Sequence, residues 1–232
     1  MKSYSARTPQ RVSGQQASAQ AARQQTFASR RSASTAAQAV RTGGWANPSA
    51  GSEKKFVDVS QTFAPTASAV TFTAGTLLNG VATGTDASSR IGRKAVVKSL
   101  LLRITASLAT GTKGGAFRIL AVYDKQANAT APAITDILLA DAFNSPNNLT
   151  YRDRFVTIFD NVTEPVDAGG PNERAITLYK KLNLETLWNA GTDALIGSIA
   201  SGSIYLFVAQ SGSIATNAPS VTIRSRVRYT DN

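Results

Sequence analysis

The chain has 232 residues, with 25 Lys and Arg against 14 Asp and Glu, a formal net charge of +11, and neither cysteine nor histidine. That composition excludes disulfide scaffolds, zinc fingers and thiol catalysis, and it removes the usual general base and most transition-metal ligands. So basic a balance points to nucleic acid, an anionic membrane or another polyanion, and with no apolar run of about 18 residues no segment is expected to span a membrane.

The charge is concentrated at the start. Residues 1–52 carry Lys2, Arg7, Arg11, Arg23, Arg30, Arg31 and Arg41 and no acid; the first acid is Glu53. This arm is Ala, Ser, Gln and Arg, with Tyr4, Phe27 and Trp45 as its aromatics. It is too poor in apolar surface to offset its chain entropy, so a disordered free arm is expected. Ala17–Val40 lacks Gly and Pro and runs into Gly43-Gly44, so it is also a candidate for a helix formed on a partner. On such a helix Arg23, Arg30 and Arg41 fall within about 40° of one another. No secretory signal opens the chain. The sequons at Asn128, Asn148 and Asn161 read as chance matches.

From residue 53 onward, short β-branched and aromatic runs alternate with turn residues. Eight strands are expected: Lys55–Phe63, Ala69–Thr73, Ala95–Leu108, Ala116–Lys125, Arg154–Asp160, Arg174–Leu182, Ser203–Gln210 and Val221–Tyr229. Short helices are expected near Ile134–Ala140 and Leu184–Asn189. The fold class is therefore all-β, an eight-stranded jelly-roll sandwich with a disordered or partly helical basic N-terminal arm. The domains are 1–52, the arm, and 53–232, the body.

Alternation sets the faces. Val221, Ile223, Val227 and Tyr229 share one side of the last strand, with Arg224, Arg226 and Arg228 on the other. In the third strand Val96, Leu100, Leu102, Ile104 and Leu108 are expected inward, opposite Ser99, Arg103, Thr105 and Ser107. Ile119–Tyr123 is apolar on both faces and needs cover from something beyond the second sheet; a neighbouring subunit is the natural candidate.

The nucleic-acid-binding residues expected are Lys2, Arg7, Arg11, Arg23, Arg30, Arg31 and Arg41, together with Lys54 and Lys55. Each neutralises a phosphate and releases counterions, so binding is sequence-independent and salt-sensitive. Arg adds bidentate phosphate contacts and stacking on bases. Arg224, Arg226 and Arg228 form a possible secondary basic surface, with a solvated strand face as the competing reading. Arg90-Ile91-Gly92-Arg93-Lys94 reads as a nucleic-acid contact or a loop at a subunit contact. This segment and Arg30-Arg31 are weak nuclear-import candidates. No catalytic residues are assigned. Gly111-Thr112-Lys113-Gly114-Gly115 lacks the phosphate-loop order and reads as a strand connection. The acids are dispersed with no EF-hand spacing, so no cofactor is expected and intersubunit calcium stays open without named ligands.

Ser89-Arg90-Ile91-Gly92-Arg93-Lys94, running on to Leu100, resembles the capsid proteins of small circular Rep-encoding single-stranded DNA viruses. The resemblance continues through Arg118–Asn128, Pro132, Asp136-Ile137-Leu138 and Gly202–Leu206. The arm departs from the circovirus type, which is far denser in Arg. The fold also resembles that of satellite-virus coat proteins, which package RNA. The resemblance implies a jelly-roll shell domain, about 60 copies in a closed T=1 shell, and a packaged single-stranded genome, with DNA favoured over RNA. It implies a virion location, with the host nucleus or cytoplasm during assembly. Arms of +7 each would give roughly +420 inside, the scale of a genome of about a thousand nucleotides.

Two other classes remain. An acid-free Arg, Ser and Ala arm also describes an organellar transit peptide, cleaved from a β-sandwich binding module. A carboxylate glycosidase on a jelly roll is the enzyme reading, but no acid stands in an aromatic-lined strand.

Overall fold

The computed structural model describes residues 54–63, 71–107, 116–163, 173–211 and 220–231. They belong to one compact unit, Ser52–Asn232. The strands are β1 (Lys54–Phe63), β2 (Thr76–Leu77), β3 (Lys94–Ser107), β4 (Phe117–Asp124), β5 (Phe155–Thr163), β6 (Glu173–Trp188), β7 (Ile199–Ser201), β8 (Ser203–Gln210) and β9 (Ser220–Asp231). One helical turn, α1 (Ile134–Ile137), lies between β4 and β5.

Two antiparallel sheets form, in the orders β1-β9-β3-β6-β7 and β2-β8-β4-β5. Setting aside the three-residue β7, each sheet interleaves early and late strands four by four, the pattern of a jelly roll. The expected all-β, eight-strand architecture is therefore the one found, with β7 added at one edge.

The core lies between the sheets. From one side come Val97, Leu100, Leu102, Ile104, Val221, Ile223 and Val227; from the other come Phe117, Ile119, Ala121, Ile204, Leu206 and Val208. Burying each large side chain contributes about 1.5–3 kcal/mol. At the rim, Lys180 Nζ donates to the Ile158 carbonyl at 2.9 Å, tying β6 to β5 across the sandwich. Asn79 is a second tie: its amide donates to Thr186 Oγ1 and to the Gly202 carbonyl, and its oxygen accepts from the Ile204 N–H.

β4 and β8 are buried on both faces, as their composition requires. The expectation that a neighbouring subunit covers the outer side is corrected by the fold. Leu120, Val122, Tyr205, Phe207 and Ala209 pack against Phe72, Ile137 and Leu138, with Ile134 and Phe143 alongside. The chain's own β4–β5 connection, with Phe72 from the segment before β2, supplies the cover.

Four element expectations change. Residues 71–73 form no strand, and 69–70 lie outside the described residues; Thr73 makes a backbone bond to Val208, but regular pairing with β8 falls to β2. The segment Leu184–Asn189 is not helical. Leu184 and Thr186 pair with Val97 and Ala95, and β6 runs on to Trp188, so sheet pairing overrides a helix-compatible composition. The helix expected at Ile134–Ala140 ends at Ile137, because Leu138 turns extended and bridges Asn147. Finally, a β-bulge between Val97 and Ser99 shifts the phase of β3. Ala95 and Val97, rather than Val96, face inward before it, while Leu100, Leu102 and Ile104 do so after it.

Gly202 joins β7 to β8 with φ of +81°, and a Cβ there would stand 2.1 Å from the Glu185 carbonyl. Gly202→Ala is therefore expected to lose about 1–3 kcal/mol, read as a lower urea midpoint at unchanged slope.

Candidate nucleic-acid interface

The two outer faces of the sandwich differ. The four-stranded sheet is covered by the chain's own β4–β5 connection and by Phe72 from the segment before β2. The outward side of the five-stranded sheet carries mostly exposed side chains, and cations dominate it. Strand pleating decides which residues stand there: where Leu100, Leu102 and Ile104 point inward, Leu101, Arg103 and Thr105 point outward.

Register then lines these residues up across the strands. One row runs Ser60, Arg224, Arg103, Thr177, and the next Asp58, Arg226, Leu101, Tyr179. A third row holds Phe56, Arg228, Ser99 and Lys181, with Lys98 bulged beside it. A fourth holds Lys54, Thr230, Val96 and Glu185. Lys94 stands at the end of β3 and pairs with Glu185 at 2.5 Å. Asp58, Glu173 and Glu185 are the acids on this side of the described sheet, and the cations outnumber them. Tyr179 is 55% exposed and Phe56 36%, so two rings are also open to the surface.

Within this field Arg226 is engaged. Its guanidinium donates to both Asp58 oxygens, at 2.8 and 2.6 Å, and lies 4.8 Å above the Phe56 ring. Those hydrogen bonds hold the Asp58 carboxyl below the usual carboxylate range, against a smaller opposing effect of burial. The pair's contribution is present at neutral pH and is lost as pH falls through that depressed value. Arg103, Arg224 and Arg226 line a shallow depression of about 490 Å³ together with Asp58, Ser60 and Leu101.

The residues expected from sequence fall into three groups. Lys2, Arg7, Arg11, Arg23, Arg30, Arg31 and Arg41 lie outside the described residues, as does Gly111–Gly115. Lys54, Arg224, Arg226 and Arg228 all stand on the outward face. Lys55 does not, and this is a correction. Its residue is 1% exposed, and its Nζ lies 3.6 Å from Asp231 on the inward side, opposite Tyr229. Successive strand residues point to opposite faces, so Lys54 and Lys55 cannot both reach one surface.

The Arg90–Lys94 segment divides similarly. Arg90 is 1% exposed and donates to the carbonyls of Val81, Gly92 and Gly191, with its guanidinium 4.9 Å over Trp188. It organises the loop and is not free to touch a ligand; Arg93 and Lys94 are exposed. Arg118 and Arg154 are likewise committed, each gripping one carboxylate with two nitrogens, Asp160 and Asp124 respectively. Sequence reasoning missed Arg103, Lys98 and Lys181 as members of the basic face. Alternation alone put Arg103 outward, but only the strand order sets it beside Arg224. Among the described residues no group of three or more Asp or Glu is placed to hold a metal ion.

A solved structure described as Desmodium yellow mottle tymovirus is similar at 13% identity and a TM-score of 0.26, over 79% of this chain and 85% of that one, a likeness too slight to bear on the fold. No curated protein matches the sequence. The family model for the satellite tobacco necrosis virus coat protein matches residues 21–232, which takes in every strand of the sandwich and its basic face, and the chain belongs to that coat-protein family.

Proposed function

We propose that this coat protein assembles into a closed T=1 shell of about 60 copies and packages a single-stranded genome inside it. The role is structural and non-enzymatic, and the location is the virion. The observation that carries the reading is the asymmetry of the sandwich: one outer face covered by its own chain, the other basic and open, in a member of a coat-protein family. The seven cations of residues 1–52 supply the greater share of the charge. The outward cations of β1, β3, β6 and β9 supply a second, fixed surface.

Two genome readings have support. The segments Ser89–Leu100 and Arg118–Asn128 favour circular single-stranded DNA, with assembly in the host nucleus. The family match favours RNA, which satellite-virus coat proteins package, with assembly in the cytoplasm. Phosphate contacts are common to both, and neither the arm nor the sheet face reads a 2′-hydroxyl by composition alone.

Negative-stain imaging of the purified full-length protein, with absorbance at 260 and 280 nm, tests the proposal. Uniform spheres with a nucleic-acid spectrum are expected. Digestion of the extracted contents by DNase or by RNase then selects one genome reading. A monomer free of nucleic acid across several salt and pH conditions would sink the packaging role and favour a binding module whose arm is cleaved.

A further inference from the structure

Arg103 of β3 and Arg224 of β9 are direct cross-strand partners. Both are exposed, and among the described residues neither has an acid or a hydrogen-bonded partner. Like charges placed directly opposite in an antiparallel pair destabilise the sheet. An anion between them removes that cost, and the depression they line has room for one. The third guanidinium of the depression, Arg226, is neutralised by Asp58. Tyr179 pairs with Leu101, two residues along β3 from Arg103, so it is a diagonal neighbour of Arg103, about 8 Å away, on the side opposite Arg224.

We infer that the depression between Arg103 and Arg224 seats a backbone phosphate of the packaged single strand, that Tyr179 stacks on an adjacent base, and that Asp58 holds Arg226 back from the contact. The inference rests on the packaging reading above and adds to it a built site in the body of the protein, separate from the arm. A guanidinium presents a planar fork of donors, so two of them grip a phosphate with defined geometry where lysines would offer only point charges. Base–aromatic stacking tolerates any sequence, as genome packaging requires. Asp58 sets the strength of the contact: with its charge in place, the face neutralises fewer phosphates than its arginines allow.

The test is fluorescence anisotropy of labelled oligo-dT and oligo-U on unassembled full-length subunits across a salt series. Wild type, Arg103→Gln/Arg224→Gln and Asp58→Asn are compared. On a single strand each lost phosphate contact lowers the slope of log affinity against log salt by about 0.7. The double variant is expected to lose about 0.7 from that slope, because its two arginines share one phosphate, and Asp58→Asn, which frees Arg226 for another, to gain about 0.7. Tyr179→Leu is expected to weaken binding by roughly tenfold with the slope unchanged, because a stacking contact releases no counterion. An unchanged slope in the double variant, or weaker binding by Asp58→Asn, overturns the inference. So does stabilisation of the wild type by inorganic phosphate, at matched ionic strength, without any effect of the arginines on the oligonucleotide slope. Failure of the wild type to bind either oligonucleotide overturns the packaging reading itself. Thermal unfolding in phosphate-free buffer provides an independent readout: removing the opposed charges should leave the double variant as stable as wild type or more so, and clear destabilisation counts against the seat.

Discussion

Arg90→Ala is expected to destabilise the body by about 3–5 kcal/mol, more than Gly202→Ala. The side chain is almost fully enclosed, and it serves three carbonyl groups from three separate stretches of chain: Val81 after β2, Gly92 before β3 and Gly191 after β6. Each carbonyl left buried without a donor costs about 1–3 kcal/mol. The guanidinium also packs over Trp188, so alanine leaves a void under the loop as well as unmet acceptors. Burial pushes the Arg90 pKa down from its ordinary value, yet an arginine stays charged across the working pH range. The contact is therefore insensitive to pH. Urea unfolding followed by tryptophan fluorescence reads the effect directly, because Trp188 lies beneath Arg90 and the other tryptophan, Trp45, lies in the arm. A midpoint equal to wild type would show that the three carbonyls find other donors. Arg90→Lys, which keeps the charge but lacks the planar fork, should fall between the two, and it keeps the comparison readable if the alanine variant fails to fold.

This residue also marks where sequence reasoning stopped. Arg90, Arg93 and Lys94 look alike as a basic cluster, and nothing in their spacing says that one is enclosed and two are exposed. The difference arises from loops 101 residues apart in the case of Gly191, which meet only once β6 and the β2–β3 connection are in place. By contrast, the outward side of β9 was legible, because Val221, Ile223, Val227 and Tyr229 alternate cleanly with polar residues and a strand has a period of two. The same rule, applied to Lys54 and Lys55, separates them onto opposite faces; two adjacent lysines in a strand are never one site. In β3 the rule met an obstacle. Val96, Val97, Leu100, Leu101 and Leu102 are all apolar, so a one-residue bulge can shift the phase without leaving a trace in the pattern. The cover over β4 was readable as a need but not as a source, since a helix turn at Ile134 and a neighbouring subunit bury Leu120 and Val122 equally well. The pairing of Arg103 with Arg224 needed the strand order, in which the last strand lies between the first and the third.

Deletion of residues 1–41 should leave shells that form at normal size but carry roughly a third of the wild-type nucleic acid. The figure follows from charge. The truncation removes all seven cations of the arm, leaving +4 of the total +11 on each subunit. On the proposed shell of about 60 copies the deleted arms carry roughly +420 and the remaining bodies a net of about +240, and packaged phosphate scales with the charge available to neutralise it. The body should still fold, because its hydrophobic clusters are made of residues from Val57 onward. Absorbance at 260 and 280 nm on size-selected particles measures the load, and replacing the seven cations by Gln at full length separates charge from chain length. A full load would mean that the arm is dispensable for packaging. A load near zero would mean that the sheet face, for all its arginines, holds no nucleic acid by itself, and the phosphate seat between Arg103 and Arg224 would fall with it. An intermediate load that drops further when Arg103→Gln/Arg224→Gln is added to the truncation, and rises with Asp58→Asn, is the outcome in which arm and sheet share one genome: the arm by its net charge, the sheet by fixed geometry.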